Sequence, residues 1–66
     1  MTFEQWLLRQ IGTNTLVGDL ANDFQHDDRP LPISDTYEDW LEFFSRACQK
    51  ARCAFQTAWQ EYQKSV

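Results

Sequence analysis

Three features of the 66-residue chain predict an all-α fold, a compact bundle of four short helices forming a single helical domain over residues 1–66. Apolar residues recur at helical i, i+3, i+4 spacing through most of the sequence. Breaker residues fall only at Gly12, Gly18 and Pro30-Leu31-Pro32, leaving the 33 residues from Ser34 onward free of glycine and proline. Ten aromatic residues supply core material to a chain whose size leaves a thin stability margin.

The first helix opens at Thr2-Phe3-Glu4-Gln5, the spacing of a capping box in which a threonine hydroxyl and a glutamine side chain satisfy each other's backbone donors. Phe3, Trp6, Leu7 and Ile11 then share one face, and Gly12 stops the helix after about two and a half turns. Thr13-Asn14-Thr15 connects to the second helix, with Thr15 the better N-cap. That helix is expected from about Leu16 to Asp27, with Leu16, Val17, Leu20, Ala21 and Phe24 on its core face. Gly18 costs about 1 kcal/mol in a helix interior, so its place there implies close approach of a neighbouring helix.

Asp28-Arg29-Pro30-Leu31-Pro32 is a loop, because each proline removes a backbone donor and pushes its predecessor toward extended geometry. Leu31 and Ile33 are expected to fold back over the core. Ser34 and Asp35-x-x-Glu38 offer overlapping caps for a third helix with the stripe Tyr37, Trp40, Leu41 and Phe44. The stripe runs on in phase through Ala51, Ala54, Phe55, Ala58, Trp59 and Tyr62. One helix over this whole stretch would be about 43 Å long, against a radius of gyration near 11 Å for a globule of this size. A break is therefore expected between Ser45 and Cys53, with a fourth helix ending near Lys64. A long-helix hairpin that dimerises is the rival. At least two of Trp6, Trp40 and Trp59 are expected to be buried, whereas Phe43 falls off the stripe and is expected to be a partly exposed anchor for a partner.

Charge is unevenly divided. Residues 19–42 hold Asp19, Asp23, Asp27, Asp28, Asp35, Glu38, Asp39 and Glu42 against Arg29 alone, a local net of −7, within an overall −4. Residues 43–66 carry Arg46, Lys50, Arg52 and Lys64 against Glu61, a local net of +3. Asp19 sits near the positive end of the second helix; Asp27 and Asp28 sit at its negative end, and Asp23 and Asp27 have no equally good local reason. Aspartates at i,i+4 repel, and lie about 6 Å apart along the axis.

Little here points to catalysis. His26 is the only histidine, and Asp23 with His26 falls short of the three or four convergent ligands zinc requires. "DDRPLPISDTYE" places prolines where a calcium loop needs its turn. Cys48 and Cys53 lie about 140° apart on a helix, cannot bond to each other there, and read as small buried hydrophobes. No enzyme activity, cofactor or metal is expected. No apolar run reaches the ~20 residues of a membrane span, and Glu4, Gln5 and Arg9 interrupt any secretory signal, so a cytoplasmic location is expected.

"TFEQWLLRQ", "GDLANDFQHD", the proline loop and "AFQTAWQEY" together resemble the YozE SAM-like family of small bacterial proteins. The matching positions are Phe3, Trp6, Leu7, Gly18, Asp19, Leu20, Ala21, Asp23, Ala54, Phe55, Ala58, Trp59 and Tyr62. The resemblance implies a SAM-like four-helix fold and no catalytic residues. Members of the family occur on phages and other mobile elements, so it also implies such an origin. Phe43-Phe44 stands where a Tyr-Leu pair is expected, and the acids of residues 35–42 are denser than the family pattern.

The expected function is a non-enzymatic interaction module, a monomer or weak dimer. In its sharpest form this is a small phage inhibitor whose eight acids mimic DNA toward a basic groove in a CRISPR or restriction complex. The alternatives are a generic YozE-like regulatory or structural domain and a weak nucleic-acid binder using Arg46, Lys50 and Arg52. Direct nucleic-acid binding is not expected from a chain of pI near 4.6.

Overall fold

A computed structural model describes residues 1–65. Its helices are α1 (Phe3–Leu8), α2 (Leu16–Gln25), α3 (Tyr37–Ser45) and α4 (Gln49–Ser65). Thr2 caps α1: its hydroxyl accepts from Gln5 N at 3.2 Å while Gln5 Oε1 accepts from Thr2 N at 3.3 Å. Beyond Leu8 the chain tightens into i→i+3 turns, Arg9 N to Trp6 O and Gln10 N to Leu7 O, before Gly12 takes a φ of +90°. Those turns break the α-helical phase, so Ile11 faces solvent instead of sharing the core face of Phe3, Trp6 and Leu7.

Thr15 caps α2, accepting from Gly18 N at 3.0 Å. A side chain at Gly18 would collide with the carbonyl and hydroxyl of Thr13. The close approach is therefore made by the α1–α2 connection and not by a neighbouring helix. Leu16, in the first position of α2, points outward; Val17, Leu20, Ala21 and Phe24 are buried.

The cap of α3 is Thr36, whose hydroxyl accepts from Asp39 N at 3.3 Å, rather than Ser34 or Asp35. Residues 46–48 separate α3 from α4 within the expected window and without a glycine or proline. Ala47 N turns back to Phe44 O, and Cys48 opens α4 by accepting from Ala51 N at Sγ, 3.4 Å away. This use of Cys48 explains its exposure. Cys53 is exposed as well, since it precedes the buried pair Ala54 and Phe55 on the outward side of α4. Neither thiol is the buried hydrophobe the composition favoured. The break also removes the long-helix hairpin. At about 1.5 Å per residue, the 17 residues of α4 match the longest dimension of the molecule, 25 Å, and the radius of gyration is 10.6 Å.

α4 is the shared partner, packing against each of the other three helices. Phe3, Leu7 and Phe55 are fully buried at the centre. The Phe3 ring lies 5.1–5.8 Å from those of Trp6, Trp40, Phe55, Trp59 and Tyr62, within the range of favourable aromatic pairs. Trp6 and Trp40 are buried and Trp59 is half-buried.

Two expectations about the second half of the core fail. Phe43 is only 8% exposed, because Phe24 of α2 reaches it from one side (6.0 Å between rings) and the Arg29 guanidinium covers it at 4.1 Å. Leu31 is 45% exposed and Ile33 fully so. The prolines beside them keep this segment from folding inward, and Arg29, not an aliphatic side chain, pins it to α3.

Candidate functional site

The eight acids separate into those the fold uses and those it does not. Asp27 lies just beyond α2 and accepts from three donors of Arg29: the backbone N reaches Oδ1 at 2.9 Å, Nε lies 3.0 Å from both carboxylate oxygens, and Nη2 pairs with Oδ2 at 2.8 Å. The side-chain hydrogen bond from Arg29, followed by the one from its backbone N–H, holds the Asp27 carboxyl below the usual carboxylate value. The same bond raises the Arg29 guanidinium above its ordinary value. Arg29 Nη1 donates to Phe43 O at 3.0 Å, near the carbonyl end of α3. One cation thus compensates acid at the negative end of α2 and ties the following loop to α3. Asp27, one of the eight acids expected to face a partner's basic groove, is already occupied by the chain's own arginine.

Asp35 is likewise engaged. Its carboxylate accepts from Phe3 N at 3.2 and 3.3 Å, and from Trp40 Nε1 at 2.9 Å. It satisfies an orphan donor at the N-terminus of α1, where negative charge is favourable, and the indole of a buried tryptophan. Tyr62 OH donates to Met1 O at 2.8 Å close by. Burial, and then the Asp35 carboxylate, push the Tyr62 phenol upward.

The remaining acids hold nothing comparable. Asp19, Asp23, Asp28 and Glu38 are exposed, and among the described residues none forms an ion pair or a side-chain hydrogen bond. Glu42 pairs with Arg46 at 2.8 Å, an exposed i,i+4 contact worth about 0.3–0.5 kcal/mol. Asp39, half-buried in the first turn of α3, has no cationic partner among the described residues. The acids of α2 and α3 do not share a packed helix pair: among the described residues no Cα of α2 comes within 8 Å of one in α3. The Phe24 ring, 5.8–6.0 Å from those of Trp40, Phe43 and Phe44, bridges them.

An open groove of about 480 Å³ lies between residues 30–33 and α3. Pro30, Leu31, Pro32 and Ile33 form one wall; Phe43 lies at its buried side, and Asp39, Glu42 and Arg46 line the helix wall. The pair of prolines beside exposed aliphatics was its sequence signal, and the expectation of inward folding concealed it. His26 caps the C-terminus of α2 and is exposed, and no group of three or more potential metal ligands occurs among the described residues.

Fold and surface together define a small all-α bundle of four short helices. The chain belongs to the YozE SAM-like family: the model of the YozE SAM-like fold matches residues 2–64. This is a family of small helical proteins. No curated protein and no solved structure matches the chain. No described helix is long and apolar enough to cross a membrane.

Proposed function

We propose that the chain is a protein-interaction module that presents Asp19, Asp23, Asp28, Glu38 and Asp39 to the lysines and arginines of a nucleic-acid-binding partner. In this reading it inhibits a CRISPR or restriction complex by competing with DNA phosphates. One observation supports the reading: among the described residues these carboxylates have no cationic partner, whereas Asp27 and Asp35 are committed to the fold. Retaining unpaired acids is mildly unfavourable to the isolated domain, and a basic partner surface turns that cost into steering and complementarity.

The experiment is competition. A labelled duplex bound to the effector complex is followed by fluorescence anisotropy while the protein is added. The wild type releases the duplex, and the triple variant Asp23→Lys, Asp28→Lys, Glu38→Lys does not, although it folds normally by circular dichroism. Equal release by the variant, or no release by the wild type, contradicts the mimic reading. Arg46 is paired with Glu42, leaving Lys50 and Arg52 as the nearby cations for a direct nucleic-acid contact. No gel shift is expected at low salt.

A further inference from the structure

We infer that the groove between residues 30–33 and α3 anchors a short peptide segment of the partner, one bearing a bulky apolar side chain next to lysine or arginine. The inference rests on the reading that the partner is basic, and adds to it where the apolar contact is made.

Two properties define the occupant. The first is an apolar surface held ready in advance. Ile33 and Leu31 stand exposed on a segment that two prolines stiffen, and Arg29 fastens its base through Asp27 and Phe43 O. Ordering this wall on binding is therefore inexpensive in entropy. An apolar cluster displayed beside a concavity is the usual mark of a contact site.

The second property is the charge around it. Both cations on the lining have an acid of the chain beside them at 2.8 Å, Arg29 that of Asp27 and Arg46, in an exposed pair, that of Glu42. Asp39 is then the lining charge without a cationic partner among the described residues, with Glu38 beside it in sequence and Asp28 next to Arg29. An acidic or purely apolar segment leaves these carboxylates uncompensated. A segment with a lysine or arginine beside its apolar residue satisfies them, and the apolar residue gains cover from Ile33 and Leu31. A free strip of charge alone supplies steering but little residence time; a central apolar anchor within a polar rim supplies it.

The test uses the full chain, labelled at isoleucine and leucine methyls and at backbone nitrogen, titrated with three synthetic octapeptides. One has a central Leu-Phe flanked by lysines, one the same pair flanked by glutamates, and one lysines around Gly-Ser. The lysine-flanked Leu-Phe peptide is expected to shift the methyl signals of Ile33 and Leu31, binding at least about tenfold tighter than either control. Ile33→Ser is expected to remove that preference without changing the melting temperature, as Ile33 covers no core. The inference is overturned if no peptide moves those methyls at millimolar concentration, if the glutamate-flanked peptide binds equally, or if Ile33→Ser binds as wild type. Methyl shifts that follow protein concentration without peptide also overturn it, assigning the groove to a second copy of the chain. Failure here is distinct from failure of the acidic reading: the Gly-Ser peptide shifting the Glu38 and Asp39 amides alone leaves the acids active and the groove empty.

Discussion

Replacing Asp35 by alanine tests the division of the acids most sharply at a single residue. The carboxylate serves two donors, Phe3 N and Trp40 Nε1. Trp40 is buried, so its indole N–H is left without its partner, at about 1–3 kcal/mol. Phe3 is buried but Asp35 is exposed, so water can enter the vacated site and replace part of the bond to Phe3 N, whose loss adds about 0.5–1 kcal/mol. The total is about 1.5–4 kcal/mol, set against roughly 3–10 kcal/mol for a whole domain of this length. At about 4–8 °C per kcal/mol the melting temperature falls by about 6–30 °C. Asp35→Asn keeps an acceptor but loses the charge, and falls between the two. Asp23→Ala, which removes an exposed acid with no side-chain partner, stays within about 0.5 kcal/mol of wild type. Urea unfolding followed by tryptophan fluorescence and far-ultraviolet circular dichroism measures all three. If Asp35→Ala is no more destabilising than Asp23→Ala, the hydrogen bonds assigned to Asp35 do not support the fold.

Gly18→Ala should destabilise the domain although alanine is the better helix former by about 1 kcal/mol, because its Cβ meets the Thr13 backbone; a raised melting temperature refutes that contact. Asp27 has a lowered folded pKa, so its contribution is fully present above the ordinary carboxylate value and is lost as pH falls through the folded one. Stability of the wild type should therefore drop over that acid range more steeply than that of Asp27→Asn, which is compared by chemical unfolding at stepped pH. Tyr62 is raised instead, so its contribution is complete below the ordinary phenol value and is lost as pH rises through the folded one. Tyr62→Phe should flatten the alkaline limb and cost about 0.5–1 kcal/mol near neutrality through the bond to Met1 O.

What could be read from sequence follows how local each determinant is. The caps at Thr2 and Thr15 depend on donors three residues away, and both form as expected. The break between α3 and α4 was legible from length alone, since no glycine or proline marks it. The cap of α3 was not, because Asp35 fits a local capping pattern equally well and is taken by Phe3, thirty-two residues distant. Phe43 was misread for a related reason: periodicity assigns one face to a helix, whereas α3 is covered on a second side by Phe24 and Arg29. Asp27 did carry a usable signal in Asp-x-Arg before a proline, where the arginine can turn back onto the aspartate. Leu31 and Ile33 show the limit of hydrophobicity as a guide, because an aliphatic in a stiff loop folds inward only where the core has room for it.

The central claim is that some acids hold this fold together and others are surplus to it. The most direct test compares the melting temperatures of two double variants with the same change in net charge, Asp27→Asn with Asp35→Asn and Asp23→Asn with Asp28→Asn. Because the charge change is equal, a general relief of repulsion moves both alike. The first pair should melt well below wild type and the second at or slightly above it. Equal melting temperatures for the two pairs would contradict the division.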